Sequence, residues 1–103
     1  MPFAAILTVD YSQTIGTSAV TVLNQSQIAL NGRNPQLLRI YNVSSSTTIW
    51  VSRNGSPAAV GAAGSFPIAP LSYELWVEPG PVPLNAVSIV ATAAGTPVTI
   101  EVG

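Results

Sequence analysis

The chain has 103 residues, a formal net charge of −1 and only 7% Asp, Glu, Lys and Arg, against about 25% in an ordinary soluble domain. It has no cysteine and no histidine, which excludes disulfide frameworks, thiolate metal sites and the common nucleophile–base pairs. Three arginines against four acids cannot line the positive groove that single-stranded nucleic acid needs.

A chain of this length is expected to form one domain over residues 1–103 with a core that needs no staples. The start, "MPFAAILTVD", has no basic n-region, and no stretch approaches the roughly 20 apolar residues of a membrane span, so synthesis in the cytoplasm without a membrane partner is expected. So few charges leave little to repel a neighbouring copy, and self-association is expected.

Period-two alternation dominates the chain, and no helical stripe competes with it. "FAAILTVD" (3–10) reads as a first strand with Phe3, Ala5, Leu7 and Val9 on one side. After a polar loop, "SAVTVLN" (18–24) is a second, with Val20 and Val22 facing alike. "QIAL" (27–30) is a short strand or bend before the turn signals Asn31-Gly32 and Asn34-Pro35. "QLLRIYNV" (36–43) and "TTIWVSR" (47–53) read as a hairpin around serines. "SPAAVGAAGS" (56–65) is a long chargeless loop, because Gly61 and Gly64 cost a helix about 1 kcal/mol each against Ala. "LSYELWVE" (71–78) alternates Leu71, Tyr73, Leu75 and Val77, expected inward, with Ser72, Glu74, Trp76 and Glu78. "NAVSIVAT" (85–92) and "TPVTIEV" (96–102) read as a second hairpin, with inward rows Val87, Ile89, Ala91 and Val98, Ile100, Val102. Seven or eight short strands with Gly, Pro, Asn and Ser between them predict an all-β antiparallel sandwich, jelly-roll-like or Ig-like.

The 36–53 hairpin brings together the residues best suited to recognition. Leu38 and Ile40 share a core face with Ile49 and Val51 only in registers that turn Arg39, Tyr41, Trp50 and Ser52 the other way. A two-residue turn at Ser45-Ser46 would set Tyr41 directly opposite Trp50; serines suit a primed turn poorly, so a longer loop is equally open, and in either case the two aromatics face away from the core. An outward Tyr-Trp-Arg group has three readings. It is a clamp worth about 0.2–1 kcal/mol, a protein interface, since these residue types dominate hot spots, or a stacking platform for a sugar.

Catalysis finds little material here. Glu74 and Glu78 share a strand face about 13 Å apart, while paired glycosidase carboxylates need roughly 5–9.5 Å. Asp10 and Glu101 lie in different strands, where pairing with arginine is the simpler role; with backbone carbonyls they are the one calcium arrangement worth checking. No enzyme activity, cofactor or metal is therefore expected. "NQS", "NVS" and "NGS" match the glycosylation acceptor pattern and are read as chance in a Ser/Asn-rich chain.

From residue 36 onward, "LLRIYNVSSSTTIWVSRNGSPA", "GSFPIAPLSYELW" and "VPLNAVSIVATAAGTPVTIEVG" follow one another in an order that resembles small virion proteins of tailed bacteriophages. In those chains a strand ending near "IxN" leads to a Ser-rich turn, an "IWVS"-like strand, a "PIAP"-type bend and an "aaGTpVTI" ending. The resemblance covers about two thirds of the chain, and residues 1–35 share only a β-like character. It implies a head decoration or cement protein, a small sandwich sitting as a homotrimer over joints between subunits of the major capsid protein, located in the virion and assembled in the bacterial cytoplasm. Similar sandwiches occur in tail and fibre parts, which implies the alternative of a receptor- or carbohydrate-binding module, with Trp50 or Trp76 as the platform for a cell-surface sugar. No catalytic residue comes with the resemblance. Arg39, Tyr41, Trp50 and Trp76 are the candidate interface residues, with Trp76 as the anchor for a trimer or a shell.

Overall fold

Consecutive strands mostly leave one sheet and enter the other. The structure, a computed structural model, describes residues 9–24, 37–77 and 85–103. Those residues form nine strands: β1 (Val9–Asp10), β2 (Gln13–Ile15), β3 (Val20–Leu23), β4 (Leu37–Asn42), β5 (Ile49–Ser52), β6 (Phe66–Ile68), β7 (Tyr73–Val77), β8 (Val87–Ala91) and β9 (Thr96–Val102). One sheet runs β1-β9-β4-β7, with β2 also on β9, and the other runs β3-β8-β5-β6. All pairings are antiparallel, and of consecutive strands only β5 and β6 pair with each other. An Ig sandwich pairs more of its consecutive strands; this order is that of the two-sheet jelly roll.

Alternation builds the core. Leu38, Ile40, Val98, Ile100 and Val102 point inward from the first sheet, and Ile49, Val51, Val87, Ile89 and Ala91 from the second. Each fully buried aliphatic side chain contributes about 1.5–3 kcal/mol. All the inward residues expected of strands 36–43, 47–53, 85–92 and 96–102 are therefore buried, yet neither expected hairpin exists. β4 and β5 lie in opposite sheets, as do β8 and β9. Each connection is an arch that lets the two apolar rows meet across the core instead of side by side.

The arch between β4 and β5 is held by side chains. Ser44 Oγ accepts the N–H groups of Ser46 and Thr47, at 3.2 and 3.0 Å, and Asn42 Oδ1 accepts that of Ser44 at 3.1 Å. These local bonds satisfy the backbone without a tight turn. Asn42, the asparagine of the "NVS" triplet, is fully buried.

Three further expectations change. Val20 is exposed while Val22 and Leu23 are both buried, because a bulge between Thr21 and Leu23 shifts the register against β8. In β7, Leu38 opposes Trp76 and Arg39 opposes Leu75, so Trp76 lies on the core side and Tyr73 and Leu75 are exposed; Leu71, in the turn before the strand, is exposed too. β2 and β6 form where a loop and a bend were expected. The expected strand at 27–30 and its turns, Phe3, Ala5 and Leu7, and Glu78 lie outside the described residues.

The loop from 53 to 65 does not stand away from the body. Ala58 is buried and its N–H donates to Ser88 Oγ at 3.0 Å, on the outer face of β8. The loop therefore covers Ser88, which is buried on a face that alternation assigns to solvent, as is Val90 beside Trp50.

Candidate functional site

Two surfaces gather the aromatic and charged side chains. The first is the outer face of the β9-β4-β7 sheet. Cross-strand pairing aligns Glu101, Arg39 and Leu75 in one row and Thr99, Tyr41 and Tyr73 in the next. Tyr41 and Tyr73 stack with centroids 6.4 Å apart and planes 16° apart. The Arg39 guanidinium lies 6.0 Å from the Tyr41 centroid and 5.6 Å from that of Tyr73, and its Nη1 is 3.6 Å from Glu101 Oε1. Arg39 Nε is buried with no hydrogen-bond partner among the described residues, a sign that the rings shield it from water. Tyr73 is 56% exposed and Leu75 45%, so the row ends in an open apolar step beside a charge-assisted one.

The second surface is a shallow cleft of about 330 Å³ where β6 of one sheet faces β7 of the other, lined by Arg53, Phe66, Glu74 and Trp76. Phe66 meets Trp76 edge to face with centroids 6.0 Å apart, and both are packed on the core. The Arg53 guanidinium lies 5.3 Å from the Trp76 centroid and 5.7 Å from that of Phe66, within cation–π range. Arg53 takes no part in an ion pair among the described residues, and Glu74 is exposed.

These positions regroup the expected interface residues. Arg39 and Tyr41 do share an outward face, but Trp50 belongs to the outer face of the other sheet, where it pairs with Pro67 and Val90. The expected Tyr41–Trp50 contact is replaced by Tyr41–Tyr73, because the strands face each other through the core rather than through a ladder. Trp76 is half-buried and closes the sandwich edge rather than projecting from it. Tyr73, Leu75, Arg53 and Phe66 escaped the sequence reading as surface residues. Arg53 carried a usable signal, since it shares parity with Ile49 and Val51.

Asp10 and Glu101, which lie in different strands and could approach, are direct partners across β1 and β9. The Ser12 hydroxyl and the Ser12 N–H, 2.8 Å from Asp10 Oδ1, hold the Asp10 carboxyl below its ordinary range. With Glu101 turned to Arg39, the acids are committed to separate partners. No group of three or more His, Cys, Asp or Glu gathers among the described residues.

No protein-family model, no curated protein and no solved structure matches the chain.

Proposed function

We propose that this chain is a non-enzymatic structural protein of a tailed-phage particle, a head decoration or cement protein that binds and stabilises the major capsid shell. The observation that carries the reading is the outer face of the first sheet, where Tyr41, Tyr73, Arg39 and Leu75 form an ordered patch with one ion pair. Aromatic residues and arginine in a pre-organised array are what interface hot spots use. The resemblance from residue 36 onward supports the same partner. The uncharged coat supports it too, since a protein buried in a particle needs few charges to stay dispersed. The jelly roll hosts many functions, capsid and lectin domains among them, and adds no weight by itself.

A sugar-binding role in a tail or fibre draws no support from Trp76, whose ring packs on Phe66 and lies under Arg53. The test is to mix the purified protein with phage heads lacking it and measure bound copies and heat resistance of the heads. Saturable binding that Tyr73→Ala and Leu75→Ala each weaken about tenfold is expected. Absence of the chain from purified virions by mass spectrometry overturns the reading; binding to a glycan array instead favours the alternative.

A further inference from the structure

A strand at a sheet edge presents free N–H and C=O groups that invite another strand, and folded proteins blunt such edges with short strands, bulges, proline or charge. Three of the four edges here carry such a device. The first sheet ends on one side in β1 and β2, pieces of 2 and 3 residues that break at Tyr11-Ser12. The second ends in β3, which carries the bulge, and in β6, whose central residue Pro67 has no N–H to give. β7 differs. It has 5 residues, no proline, unbroken register against β4 and no partner on its other side among the described residues.

We propose that β7 is a pairing edge for a second copy of this chain, joined antiparallel about a twofold axis centred on Leu75. The sequence Tyr73-Glu74-Leu75-Trp76-Val77 selects that register. For the outer faces of the two sheets to continue into each other, paired positions must have the same parity. A centre on Glu74 sets two carboxylates directly opposite. A centre on Leu75 sets Leu75 against itself and each Glu74 against the partner copy's Trp76. Directly opposed residues lie about 5 Å apart, and over Trp76 lies Arg53, which shares its cleft with Glu74 of its own copy but makes no ion pair among the described residues. Each copy thus brings a carboxylate to the other's arginine, twice by symmetry, while the exposed Leu75 side chains are covered. Glu74, the one charge of the strand, serves to reject the wrong register.

The inference holds for the isolated chain and does not depend on a role in a virion. It predicts pairs, where the resemblance implies three copies about one axis. The test is sedimentation of the full chain over a concentration series, alone and as Arg53→Glu, Glu74→Arg and the double variant. A dimer is expected at tens of micromolar. Each single variant places like charges together and weakens pairing at least about tenfold, and the double variant, with the charges exchanged, restores it. Amide exchange supplies a second readout: β7 amides turned away from β4 gain protection as concentration rises. A monomer at every concentration, a trimer, or a dimer indifferent to all three variants each overturns the proposal. Thermal melts of the variants separate lost pairing from lost folding.

Discussion

The side-chain amide of Asn42, in the first sheet, donates to the backbone carbonyl of Ile68, in the second, at 3.0 Å. The same amide donates to Thr47 O at 2.7 Å, so one fully buried side chain ties β4 to the arch that follows it and to β6 across the core. Replacement by alanine leaves buried carbonyls unpaired, at about 1–3 kcal/mol each. Asn42→Ala is expected to lower stability by about 3 kcal/mol in denaturant melts. A loss within experimental error removes Asn42 from this bridging role.

Ser88 is the latch of the 53–65 loop. Ser88→Ala removes the acceptor for the buried Ala58 N–H and is expected to cost about 1–2 kcal/mol. The sharper readout is local. Amides of residues 58–65 exchange faster in the variant and the loop is cleaved sooner by protease, while β8 and β9 keep their protection. Uniform loss of protection instead identifies Ser88 with the core.

Ala69-Pro70-Leu71-Ser72 turns the chain from β6 into β7, with Ser72 N–H donating to Ala69 O at 3.1 Å. Leu71 has φ 59°, in the third position of the turn, where glycine is the natural occupant. Its side chain is 57% exposed, so little burial offsets the strain. Leu71→Gly is expected to stabilise the fold by about 0.5–1 kcal/mol. A lower melting temperature counts against a strained turn.

Asp10 gives acid sensitivity a definite sign. Its carboxyl is held below the ordinary range by the Ser12 hydroxyl and N–H, so its contribution is present above the unfolded pKa and fades as pH falls through the folded one. Asp10→Asn keeps an oxygen for the Ser12 N–H and cannot titrate. Melting temperatures of the two proteins should differ near neutrality by an amount that shrinks below the carboxylate range. A pH-independent difference excludes the linkage.

The inward faces of four strands were legible because burial and parity are tied: Ile40, Val51, Ile89 and Ile100, one from each strand, are all at 0% exposure. Which sheet each strand joins was not legible. A hairpin and an arch bury the same rows, and the Asn42 and Ser44 bonds that hold the arch leave no trace in the alternation. β7 misled for a different reason. Its outward row, Leu71, Tyr73 and Leu75, is more apolar than Ser72, Glu74 and Trp76, so pattern alone turns it inside out. β6 was hidden by Pro67, which an edge strand tolerates. Of the candidate site, Arg39 and Tyr41 were found, and their true partner Tyr73 was concealed by that inversion.

The alternation of neighbours between layers also has a kinetic side. The first described strand pairs with the last, and β5–β6 is the only ladder among the described residues joining strands adjacent in the chain. Before any other native ladder forms, long stretches of backbone must close into loops, and refolding is expected on a timescale of roughly milliseconds to seconds. The hairpin that the alternation of residues 36–53 suggests is then a competitor to the native state, quick to form and useless to the final core. Its stability in an isolated peptide, against the refolding rate of the whole chain, measures how far the serine-rich arch protects the protein from its own shortest route.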